Sequence, residues 1–231
     1  MNHFRYRQFP SIVILWAVRW YCKYGISYRE LEEMLEERGI QVDHTTMHRW
    51  VIAFAPLIMQ ELKKHWKPRS YKSWRVDETY IRVKGKWHYL YRAVDKEGKT
   101  IDFYLSKTRN TRDATKFLAK AVKGLKQGEK PLVIYTDKHS SYDGAIRKLR
   151  LNRKLPKQVK HKQVKYMNNI LESDHGKLKR IINPTLGFKT FDAAKATLCG
   201  FELMRMFKKR QFKGVYTVHD EIRIISQALS S

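Results

Sequence analysis

Between residues 74 and 136 the sequence changes period in an order that few folds accept. Trp74–Val83 alternates and is rich in β-formers, Lys84-Gly85 is a turn signal, and Trp87–Val94 (WHYLYRAV) is a second strand. Asp95–Lys99 contains Gly98 and turns again, and Thr100–Ser106 is a third strand. Three strands joined by short turns make an antiparallel meander. Arg112–Leu125 then has helical spacing, with Ala114, Phe117, Leu118, Ala121 and Leu125 on one stripe. Gln127-Gly128-Glu129 breaks it, and Pro131–Thr136 (PLVIYT) is short and almost wholly apolar. That composition suits a strand buried on both faces beside a parallel neighbour. Helices are expected at Ser140–Leu149 and from residue 168.

The order β-β-β-α-β-α, closed by a later helix, is that of a ribonuclease H-like α/β core, a mixed five-stranded sheet with helices. Such a core sets the first strand of the meander beside the strand that follows the helix. Asp77, in WRVDETY, and Asp137, in IYTDKHS, would then meet. An acid inside an otherwise buried strand is costly unless it binds something. Asn168–Ile182 (NNILESDHGKLKRII) reads as one helix that places Glu172, His175 and Lys179 on a common polar face, with Leu171, Leu178, Ile181 and Ile182 largely opposite. Glu78 should point away from Asp77 across the strand. Glu78, Asp95, Asp102, Asp143 and Asp174 are given structural roles.

An all-α region precedes the core. Residues 11–24 form an apolar-striped helix ended by Gly25, and Ser27-x-x-Glu30 is a capping box that starts a second helix to about Arg38. Gly39 breaks that helix, and Asp43 or His44 caps a third, to about Phe54. The arrangement reads as a helix-turn-helix whose third helix presents Thr45, His48 and Arg49 to a DNA groove. The alternative is a plain three-helix packing module. A basic stretch interrupted by Pro68 links this region to the strands.

WRVDETY, YRAVD, DFYLS, TDK and NNILESDHGKLKRII, with TLGF just after, together resemble the DDE transposases, specifically the bacterial insertion-sequence family six. The resemblance runs from the helix-turn-helix to about Phe207. It implies that Asp77, Asp137 and Glu172 are catalytic and bind metal, that Lys179 is the basic residue of the Glu helix, and that transposition is replicative, through cointegrates. The residues agree. Converging carboxylates repel and raise one another's pKa, and two divalent ions would relieve this. Hard oxygen ligands favour Mg²⁺, with Mn²⁺ as substitute, over zinc. A structure-specific nuclease on the same fold, or a catalytically silent DNA-binding regulator, would carry many of the same residues.

The formal net charge of +26 points to a polyanionic partner. Double-stranded DNA is expected, as terminal inverted repeats and as target. The segment 144–171, with nine Lys/Arg and no acidic residue, should cradle the DNA backbone, with Lys160, Lys162 and Lys165 on it and His175 and Lys179 just beyond. Cys22 and Cys199 sit in apolar helical patterns and read as buried thiols in a reducing compartment. No stretch is long enough to span a bilayer, so a cytoplasmic, nucleoid-associated bacterial protein is expected. The expected division is 1–65 helix-turn-helix, 66–72 basic linker, 73–209 catalytic core and 210–231 C-terminal tail. An apolar surface on the C-terminal helices motivates a homodimer.

Overall fold

The computed structural model describes residues 8–66, 72–164 and 169–230. In chain order the elements are α1 (Ser11–Tyr24), α2 (Tyr28–Glu36), α3 (His44–His65), β1 (Ser73–Val83), β2 (Lys86–Asp95), β3 (Thr100–Ser106), α4 (Thr111–Val122), β4 (Val133–Thr136), α5 (Ser140–Leu151), β5 (Lys160–Gln163), α6 (Asn169–Ile182), α7 (Phe191–Lys208) and α8 (Val218–Ser230). The chain forms two compact units, Pro68–Lys177 and Met1–Lys67 with Leu178–Ser231.

In the first of these units the sheet order is β3-β2-β1-β4-β5. β1 runs antiparallel to β2 and parallel to β4, and β4 runs parallel to β5. This is the mixed five-stranded sheet with helices of a ribonuclease H-like core. One face carries Trp74, Val76, Tyr91, Ala93 and Ile134, packed with Phe117 and Leu118 of α4 and Tyr142, Ile146 and Leu149 of α5. The hairpin turn at Lys84-Gly85 takes positive φ at both residues, 50° and 75°, as a two-residue turn between twisted strands requires. The expected five-stranded sheet is present, but the sequence did not locate its fifth strand, β5. Its sequence, KHKQ, has no apolar alternation, and only pairing with β4 makes it a strand.

The other unit is helical. The capping box at Ser27 and Glu30 forms, and the Asp43 carboxylate caps α3 by accepting from the Thr45 and Thr46 amides at 2.9 and 3.0 Å. α3 differs from its expected length. It runs unbroken through Pro56 to His65. A proline inside a helix costs about 3 kcal/mol. Here the apolar stripe Val51, Phe54, Ala55, Ile58, Met59 and Leu62 continues across it, and burying that stripe outweighs the lost bond.

The C-terminal helices correct the expected boundaries. α7 packs on α3 and α1, and α8 packs on α3 and α1 as well. Residues 178–231 therefore belong with the N-terminal helices, not with the sheet. The reason lies in α7 itself, which is buried at nearly every position from Ala193 to Phe207 and needs cover on several sides. Gly200 marks its closest approach. A Cβ there would lie 2.4 Å from Cys22 Sγ and 3.0 Å from Ala55 Cβ. The apolar C-terminal surface that motivates a homodimer is thus covered by the chain's own helices. The linker at 66–72 falls almost wholly outside the described residues. Among the described residues no helix is long and apolar enough to cross a membrane.

Candidate active site

The parallel register of β1 and β4 aligns Arg75 with Tyr135, so Asp77 and Asp137, each two residues further on, come level. Glu78 joins them. One carboxylate oxygen from each of Asp77, Glu78 and Asp137 lies within 4.8 Å of the other two. This corrects the expectation that Glu78 points away. Its backbone does follow the alternation, on the same face as Trp74 and Val76, but its longer side chain reaches round to the cluster.

Glu78 is buried and accepts a hydrogen bond from the Tyr142 hydroxyl. Arg109, from the loop before α4, pairs through Nε with Glu78 and through Nη2 with Asp137 Oδ2 at 3.0 Å. The His139 amide donates to Asp137 Oδ1 at 3.0 Å, which fixes that carboxylate at the strand end. Burial pushes the Asp77 carboxyl up to about 7, and the charges of Glu78 and Asp137 add to the rise. Glu78 is also raised, first by burial, against the Tyr142 hydrogen bond and the Arg109 charge. Arg109 gives the acids a counter-charge that sequence reasoning missed. A loop arginine within KTRNTRD carries no signal of where it will point.

The site suits a divalent cation on its own chemistry. Three hard oxygen donors converge, and among the described residues their ion pairing comes from one guanidinium. A dication would resolve both the remaining charge and the raised Asp77 pKa.

Glu172 lies outside this cluster, exposed on the first turn of α6. The buried stripe of α6 is Leu171, Asp174, His175, Leu178 and Ile181. His175 therefore departs from its expected place on the polar face. Four residues after Leu171 and three before Leu178, it shares their stripe. Lys179 is exposed. Asp174 has the structural role expected of it, paired at 2.5 Å with fully buried Arg92, which sits opposite Asp77 on β2.

Of the expected DNA contacts, Thr45 and Arg49 are exposed near the start of α3. His48 is half-buried, edge-on to Tyr28 with centroids 5.4 Å apart, and its pKa is lowered by burial and then by Lys189 and Arg49. Lys160 and Lys162 are exposed on β5, with Lys162 Nζ 5.8 Å from the centre of the Tyr135 ring. Lys165 lies outside the described residues.

A mixed sheet carrying a tight acid cluster where β4 ends beside the middle of its parallel neighbour β1 suits a metal-dependent phosphodiester-processing core. The DDE domain family (DDE_Tnp_IS240) matches residues 71–211. The transposase of the insertion sequence-like element IS431mec of Staphylococcus aureus is 43% identical over 212 residues, 91% of each chain. The transposase of element IS257 in transposon Tn4003, also from Staphylococcus aureus, is 42% identical over the same share. The chain belongs to the DDE transposases of bacterial insertion sequences, of the family-six type. Among solved structures, the HTLV-2 integrase catalytic core in complex with magnesium is similar with a TM-score of 0.44 and 18% identity, over 58% of this chain and 84% of that one. The catalytic core of BIV integrase gives 0.45 and 16%, over 68% and 96%.

Proposed function

We propose that this transposase binds the terminal inverted repeats of its own element, cleaves them to leave 3′-hydroxyls, and joins those hydroxyls to target DNA, by the replicative route that produces cointegrates. The observation that carries the reading is the meeting of Asp77, midway along β1, with Asp137, just past the end of the parallel neighbour β4, within the matched DDE domain.

Asp77, Asp137 and Glu172 would hold two Mg²⁺ ions, or Mn²⁺. Bound there, the ions supply positive charge against a phosphodiester and lower the pKa of water. The chain's own groups set the geometry. The Arg92–Asp174 pair ties α6 to the strand opposite Asp77, at a position two residues from Glu172. Glu78 acts as a positioning residue. Held by Tyr142, it keeps Arg109 beside Asp137, where the guanidinium neutralises the acids until metal arrives and can then face a phosphate.

Thr45 and Arg49, with α2, the Gly39 turn and α3, form the helix-turn-helix that reads the repeat, with His48 steadying the helix that carries them. Lys160, Lys162, Lys165 and Lys179 grip phosphates. Joining two ends calls for two copies of the chain, so a homodimer forms on DNA. A cytoplasmic protein at the bacterial nucleoid fits a DNA substrate and a net charge of +26.

The test is an oligonucleotide assay with one element end and Mg²⁺. The wild type should nick at the repeat boundary and transfer the strand, while Asp77→Asn and Glu172→Gln should bind the end and do neither. Strand transfer by either variant would overturn the assignment of that residue. Light scattering of the protein on end DNA should show a dimer, and a monomer there would refute the paired assembly.

A further inference from the structure

Beyond Glu78, the β1–β2 hairpin continues the sheet face that carries its backbone position, the face alternate to Asp77. Glu78, Tyr80 and Arg82 follow one another at period two on β1, and register places Tyr80 opposite Tyr89 and Arg82 opposite Trp87. The result is an aromatic group at the surface. Tyr80 is 49% and Trp87 61% exposed. The Tyr80 ring meets Trp87 edge-on at 6.2 Å and Tyr89 at 5.5 Å between centroids. Strands rise about 3.4 Å per residue, so Tyr80 stands roughly 7 Å beyond Glu78. Tyr80 also lies within electrostatic reach of Arg109, the cation that pairs with Glu78 and Asp137.

Two exposed aromatic rings on a hairpin contribute little to the core, yet Tyr80 touches both Trp87 and Tyr89 and so ties the three rings into one group. The surrounding side chains are Arg82, Lys84 and Lys86, all exposed and all cationic. Aromatic faces bordered by cations are the chemistry that holds an unstacked base and its phosphates, and a base offers a π-face whatever its sequence. An acidic or neutral protein surface would not be matched by this placement next to a phosphodiester-processing site.

We propose that Tyr80, Trp87 and Tyr89 form a stacking platform for an unpaired DNA base adjoining the phosphate handled at the acid cluster, with Arg82 and Lys86 on the flanking backbone. The platform selects DNA whose end is frayed or single-stranded. This rests on the DNA-processing reading above, and binding measured in EDTA separates the two.

Fluorescence anisotropy with the full chain would compare a blunt duplex with the same duplex bearing a short single-stranded tail. The wild type should prefer the tailed DNA. Trp87→Ala should lose about tenfold in affinity on tailed DNA and little on blunt DNA, within the range measured for one stacked base. Trp87→Phe, which keeps a ring, should restore most of the preference. Equal losses on both DNAs, no loss on either, or a wild type without preference would overturn the platform and leave the transposase reading intact. A wild type that binds neither DNA would sink the DNA-processing reading itself. If Trp87→Ala turns a DNA-independent dimer into a monomer, the rings are an interface between copies and the base-stacking proposal fails.

Discussion

Glu221 in the helical unit and the Asp77, Glu78 and Asp137 cluster in the sheet unit differ in how their carboxylates are paired. In the helical unit, Glu221 on α8 is paired by Arg19 Nε and Lys23 Nζ of α1, each at 2.6 Å. Two cations meet one acid, so the carboxylate is fully paired and the excess charge is positive. In the sheet unit, Asp77, Glu78 and Asp137 meet the single guanidinium of Arg109. The first arrangement is finished by folding. The second keeps an excess of negative charge in a partly buried place, and burial pushes Asp77 up to about 7 as a result. A site left incomplete at this cost is built for something that arrives after folding.

The comparison can be broken in four ways. The largest effect should be on catalysis. Asp77→Asn should lower end cleavage by at least about a thousandfold, since several kcal/mol of transition-state stabilisation come through the metal ligands. A gel assay of nicked DNA measures this, and near-normal rates would mean the unbalanced cluster is idle.

Next comes Glu221→Ala, which strands Arg19 and Lys23 with no carboxylate and should cost about 3–5 kcal/mol in denaturant unfolding. An unchanged midpoint would show that the balanced network does not hold the helices.

The third effect has the opposite sign. The Asp77 pKa is raised in the folded protein above its unfolded value of about 4. Between those pH values the folded state keeps a proton that the unfolded chain has lost, so metal-free stability falls as pH rises from about 4 to about 7. Asp77→Asn should therefore be more stable than wild type in EDTA at pH 8, by about 1–3 kcal/mol, with the gap closing near pH 4. Thermal melts across pH would show it, and a destabilised variant would place Asp77 with the structural acids.

The smallest effect concerns α3, the helix proposed to read DNA. Arg49→Ala should weaken end binding several-fold and lower the slope of log affinity against log salt by about 1. An unaltered slope would remove Arg49 from the phosphate contacts.

Much of the sheet unit was legible because its signals are local. Alternation, the Lys84-Gly85 turn and the apolar PLVIYT run fix β1 to β4, and the parallel register of β1 and β4 then brings Asp77 to Asp137. What stayed hidden depends on contacts distant in sequence. β5 has no pattern of its own and exists through β4. Arg109 gains meaning from Glu78 and Asp137, which are remote in the chain. His175 was assigned by counting from Glu172, whereas its burial follows from Leu171 and Leu178. α7 was placed with the wrong partner because an all-round apolar helix announces that it is covered but not by what. The meeting of α7 with α1 and α3 at Gly200 is likewise visible only in space.

That meeting also sets an order of assembly. During synthesis the sheet unit has all its strands before α7 and α8 leave the ribosome, while α1 and α3, made earliest, still lack the surfaces that bury Cys22, Val51 and Phe54. A nascent chain thus carries its acid cluster before its N-terminal helices are covered. Truncation ahead of Phe191 would release a protein with sticky N-terminal helices, a natural substrate for chaperones and proteases rather than a nuclease at large in the genome.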